Sequence, residues 1–103
     1  MKSRASRRFW QLYRELPARI RQAADKQFAL WRENPRHRSL RFKRIRDNLW
    51  SARVTDDFRA LATCDGDTWL WFWIGSNEEY ERLISLAVNW RSTHARFTSV
   101  TAT

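Results

Sequence analysis

The sequence predicts an α+β fold in which an N-terminal helical hairpin packs on a twisted antiparallel β-sheet of three to four strands, followed by a C-terminal helix. Three observations carry this. Apolar residues keep helical spacing up to Asn34, change to the alternation and short runs of strands, and return to helical spacing after Ser76. Turn-prone clusters at Thr55-Asp56-Asp57 and Asp65-Gly66 cut the strand region into hairpins. A chain of 103 residues holds one modest core and no second domain beside it.

Phe9, Leu12, Tyr13 and Leu16 mark the buried stripe of the first helix. Ile20, Ala23, Ala24, Gln27, Phe28 and Trp31 mark that of the second. Pro17 suits the start of the second helix, where a missing N–H costs nothing, and Asn34-Pro35 stops it. Alternation of Leu40, Phe42 and Arg44 then suggests a short strand with Arg41 and Lys43 together on the face turned from the core. The same pattern describes a charged edge strand that resists edge-to-edge pairing.

Strands follow from Leu49 to Val54 and from Phe58 to Cys64. If Thr55, Asp56 and Asp57 all lie in the loop, Val54 pairs with Phe58 and Arg53 stands opposite Arg59. Two facing guanidinium groups repel, so folding alone does not explain them unless nearby Asp56 or Asp57 or a bound anion compensates. A two-residue Asp65-Gly66 loop sets Ala60 and Ala62 beside Trp71 and Trp69, and a three-residue loop flips the pairing. The run from Trp69 to Ile74 reads as a central strand whose tryptophans belong to the core rather than to a base-stacking platform. Ser76 and Glu79 form a capping box, after which Tyr80, Leu83, Ile84, Ala87 and Val88 continue one helix face. The expected domain covers residues 1–89, with residues 90–103 as a frayed tail.

Charge is unevenly distributed. Residues 1–46 hold 15 Lys or Arg against 3 acids, net +12, while residues 47–103 hold 5 against 8, net −3, for the overall +9. Such density attracts a polyanion or an acidic protein. In particular Arg36, Arg38, Arg41, Arg44 and Arg46 crowd the segment before the sheet and are candidate RNA contacts. The longest apolar run is far shorter than the roughly 20 residues that span a bilayer, so no membrane partner and a cytoplasmic location are expected. One cysteine, Cys64, and two distant histidines, His37 and His94, suggest neither a metal site nor any cofactor.

At these residues the chain resembles the RelE/ParE superfamily of toxins from bacterial type II toxin-antitoxin systems, in its RelE-like subset. The pieces that carry the resemblance are Leu16-Pro17 in the hairpin, the segment from Asn34 to Lys43, LWSARV, FRAL, DGDT and WFWIGS, in that order from about Arg4 to Leu86. It implies a cognate antitoxin as partner and, for RelE-like members, cleavage of mRNA in the ribosomal A site, which makes the ribosome and mRNA further partners. Arg59 matches the family's strand arginine and Lys43 its basic strand position; Arg53 joins them by pairing geometry alone. Related members carry a histidine where this chain has Asn77, which leaves Tyr80 as the candidate proton-handling group. The competing expectation is a module without chemistry, either a ParE-like inhibitor of DNA gyrase or a degenerate member that still binds RNA or its antitoxin.

Overall fold

The computed structural model describes residues 2–85, so residues 86–103 lie outside it, with Ala87 and Val88 of the expected helix face, the expected tail and His94. The elements in chain order are β1 (Lys2–Ala5), α1 (Arg7–Arg14), α2 (Ala18–Glu33), a 3-10 turn (Arg38–Leu40), β2 (Lys43–Arg46), β3 (Leu49–Thr55), β4 (Phe58–Asp65) and β5 (Thr68–Ser76). A last helix, α3, occupies residues 77–85.

The strands form one sheet in the order β1-β5-β4-β3-β2. The predicted α+β class and the helical elements hold, but the sheet has five strands and is mixed, because β1 pairs in parallel with β5. That strand was invisible to periodicity: the tetrapeptide KSRA has no apolar alternation, and its pairing, Lys2 with Thr68 through Ala5 with Trp71, is supplied by residues far along the chain.

Local chemistry fixes the helix ends. Ser6 caps α1 by accepting from the Phe9 N–H at 3.1 Å. Pro17 stands at the N-cap of α2, and Asn34 closes its C-terminus. The Arg21 guanidinium bonds to the Leu16 carbonyl across the joint, and the Tyr13 hydroxyl donates to Asp25 at 2.7 Å, tying the two helices together.

The core lies between these helices and the sheet. Leu16, Ile20, Trp31, Leu40, Ala52, Val54, Ala60, Ala62, Trp71 and Ile74 form its buried cluster. Trp31 is its centre, with ring centroids 5.2 Å from Trp71 and 5.9 Å from Trp69, both nearly perpendicular. Ala62, fully buried, pairs with the large Trp71. Small beside large was the expected logic, but the register differs: Gly66 and Asp67 make the loop, Asp65 pairs with Thr68, and Ala60 pairs with Ile74. A bulge at Phe72 shifts the partners, so Ile74 turns into the core instead of sharing a face with Arg59. Cys64 is only half-buried, with its thiol against the Gly66 carbonyl at 3.4 Å.

The segment before the sheet is also corrected. Leu40 belongs to the 3-10 turn, Arg41 takes the left-handed conformation at φ 43°, and β2 starts only at Lys43. Arg41 and Lys43 therefore do not share a strand. Leu40 and Phe42 both pack on the core, which produced the apparent alternation, but they reach it from a turn and a connecting residue.

Candidate functional site

The face of the sheet turned from α1 and α2 carries the four predicted catalytic residues, Lys43, Arg53, Arg59 and Tyr80. Strand register orders it in rows, because directly paired residues project to the same side. In one row Lys43 pairs with Ser51, Ser51 with Leu61, and Leu61 with Trp73. In the next, two residues along each strand, Arg53 pairs with Arg59, and Arg59 with Gly75. Adjacent rows on one face lie roughly 7 Å apart, so Lys43 approaches the arginine pair from the neighbouring row.

α3 enters over the same face. The Ser76 Oγ accepts from the Glu79 N–H at 3.2 Å and donates to the Glu79 carboxylate at 3.1 Å, so the predicted cap forms. The Asn77 N–H bonds to the Asp57 carbonyl at 2.7 Å, fastening the start of α3 to the β3–β4 turn. One turn later the Tyr80 hydroxyl meets the Ser51 hydroxyl at 3.4 Å. Ser51 is the buried polar residue of this face, 2% exposed, and composition offered no signal for it. Tyr80 thus borders the basic rows.

The facing guanidiniums are resolved in two different ways. Arg53 donates from Nη2 and Nε to the same Asp56 carboxylate oxygen, at 2.8 and 3.2 Å, and from Nη1 to the Ser39 carbonyl at 3.4 Å. Arg59 donates from Nη1 to the carbonyls of Thr55 at 2.6 Å, Phe58 at 3.1 Å and Asp56 at 3.4 Å. Both arginines therefore clamp the turn. The Arg53 hydrogen bond and charge first, then the Arg41 and Arg59 charges, favour the ionised Asp56 and hold its pKa below the usual carboxylate range. The turn itself is shorter than predicted: Thr55 pairs with Phe58 and Val54 is bulged, which still leaves Arg53 opposite Arg59.

A bare glycine adjoins this pair. A Cβ at Gly75 would sit 2.6 Å from the Trp73 ring, so the indole lies where a side chain would otherwise stand. Where β2 stops short of Arg53, Gln27 of α2 takes over the sheet's hydrogen bonding by donating to the Arg53 and Ser39 carbonyls, at 3.0 and 3.2 Å.

The five candidate RNA contacts do not share one face. Arg36 and Arg38 lie at the 3-10 turn and Arg41 at its left-handed end. On β2, Arg44 pairs with Trp50, on the opposite side from Lys43, and donates to the Asp47 carbonyl at 3.4 Å; Arg46 follows a bulge and pairs with Leu49. His37 is occupied as a cap, its Nδ1 accepting from the Ser39 N–H at 3.2 Å. Among the described residues no three metal-ligating side chains gather, and no helix is long and apolar enough to cross a membrane.

A helical pair on one side of a small sheet, and cations around a tyrosine on the other, define a domain suited to holding an anionic partner. The chain belongs to the RelE/ParE superfamily of toxins of toxin–antitoxin systems, matching the ParE-like toxin domain over residues 18–82. No match was found among curated proteins. Among solved structures its fold is similar to the toxin in the RelB–RelE antitoxin–toxin complex from Methanococcus jannaschii, with TM-score 0.63 and 15% identity over 77% of this chain and 95% of that one. It is similar also to YafQ from E. coli, with TM-score 0.63 and 12% identity over 77% and 96%. The YoeB/ParE toxin from Agrobacterium tumefaciens gives TM-score 0.59 and 15% identity over 75% and 99%.

Proposed function

We propose that this toxin is a RelE-like, ribosome-dependent mRNA endoribonuclease that inhibits translation in the cytoplasm and is held in check by a cognate antitoxin. The observation that carries the reading is the row arrangement: Arg53 faces Arg59 on adjacent strands, with Lys43 and the Tyr80 hydroxyl over the neighbouring row. Cleavage by transesterification needs these groups. The ribose 2′-oxygen bonds to phosphorus while the P–O5′ bond breaks, and negative charge accumulates on the phosphoryl oxygens. Arg59, Arg53 and Lys43 meet that charge. The Tyr80 phenol gives a proton to the departing O5′, and water takes the proton of the 2′-hydroxyl. Arg36, Arg38, Arg41, Arg44 and Arg46 hold neighbouring phosphates from more than one side.

The second reading, a ParE-like toxin that inhibits DNA gyrase without cutting RNA, is favoured by the description of the matching domain and by Asn77 in place of the frequent histidine. One experiment separates them. Purified protein added to ribosomes programmed with a defined message yields codon-level cuts under the first reading, and intact message with arrested gyrase supercoiling under the second.

A further inference from the structure

The β3–β4 turn holds a carboxylate in an unusual setting. The Asp56 side chain is 89% exposed, yet one of its oxygens takes two hydrogen bonds from Arg53. Arg59 stands across the ladder from Arg53 and donates to the Asp56 carbonyl at 3.4 Å. Arg53 thus holds the carboxylate directly, with a second arginine on the facing strand and only one carboxylate engaged between them. Asp57, its neighbour, makes no such contact through its side chain: its N–H bonds to Thr55 Oγ1 and its carbonyl accepts from Asn77.

We propose that Arg53 and Arg59 form a seat for a single phosphodiester group, and that the Asp56 carboxylate on Arg53 is its resident stand-in, which the incoming phosphate displaces rather than joins. A carboxylate and a phosphodiester each carry one negative charge and present two acceptor oxygens, so the exchange leaves the charge of the cluster unchanged. An exposed ion pair is cheap to open, and the toll on affinity is correspondingly small, about 2- to 5-fold. The proposal rests on the reading that this face binds RNA and adds the identity of the group that must move first.

The test is binding of a labelled single-stranded RNA with 2′-O-methyl groups, which cannot be cut, followed by fluorescence anisotropy across salt concentrations. Asp56→Asn keeps the shape of the turn and removes the charge. It should bind about 2- to 5-fold tighter than the parent protein at each salt concentration, because the phosphate no longer has to displace a carboxylate from Arg53. Asp57→Asn changes net charge equally and should keep the parent affinity; in an Arg53→Ala background the gain from Asp56→Asn should vanish. Binding by Asp56→Asn that is unchanged or weaker overturns the proposal, as does an equal gain from Asp57→Asn. If instead neither Arg53→Ala nor Arg59→Ala weakens RNA binding, the RNA-binding face itself is wrong, and the seat fails with it.

Discussion

Replacing Arg59 by alanine separates the two jobs its guanidinium can do. In the folded chain Nη1 clamps the carbonyls of Thr55, Asp56 and Phe58, so removing it loosens the turn. The residue is half-buried and the freed carbonyls can be rehydrated, so the loss of stability should be about 1–2 kcal/mol. Small domains have a reserve of about 5–15 kcal/mol, and even at the low end of that range more than about 99% of the variant stays folded. A folding defect of this size cannot reduce activity noticeably. Loss of a charge that stabilises the transition state, by contrast, costs on the order of 10²–10³ in rate, or about 2.7–4 kcal/mol. Thermal melting paired with primer-extension mapping of cuts on programmed ribosomes reads both quantities. A melt shifted down by several degrees together with undiminished cutting would refute a role for Arg59 in the chemistry and leave it a turn clamp.

Other outcomes follow from the same geometry. Tyr80→Phe removes the hydroxyl beside Ser51 and should slow single-turnover mRNA cleavage by roughly 10²-fold or more while leaving RNA affinity nearly unchanged. Trp31→Ala empties the centre of the aromatic cluster and should cost about 3–5 kcal/mol in urea denaturation, enough to leave the domain marginal. Tyr13→Phe deletes the bond to Asp25 and should cost about 0.5–1.5 kcal/mol at neutral pH. The hydrogen bond to Asp25, with burial and the Asp25 charge adding to it, holds the Tyr13 phenol above its ordinary value near 10. Its contribution is therefore complete below that value and fades as pH rises through the higher folded one, so parent and variant stabilities should converge in strong alkali.

What could be read from the residues was whatever local chemistry decides. The Ser76 cap, the stop at Asn34 and the opposition of Arg53 to Arg59 depend on side chains and turns within a few residues, and all three are present. The misses lie where backbone pairing decides instead. Bulges at Val54 and Phe72 cannot be inferred from alternation, yet the second turns Ile74 to the other face. Leu40 and Phe42 look like one strand because both serve the core, although a left-handed Arg41 separates their elements. Within the candidate site, sequence named the cations and offered Asp56 or Asp57 as their counter-charge, which Asp56 supplies to Arg53, but it did not name Ser51 beneath Tyr80. A serine in a strand is too common to signal anything until its neighbours across the ladder are known.

The parallel docking of β1 on β5 has a temporal consequence. Lys2 through Ala5 pair with Thr68 through Trp71, about 66 residues further along the chain. At a synthesis rate of about 5–20 residues per second, the opening segment waits roughly 3–13 s before its mate has even been polymerised. Lys2 through Ala5 are thus made well before they can be seated, and a nascent copy stays incomplete along that margin until β5 has been translated.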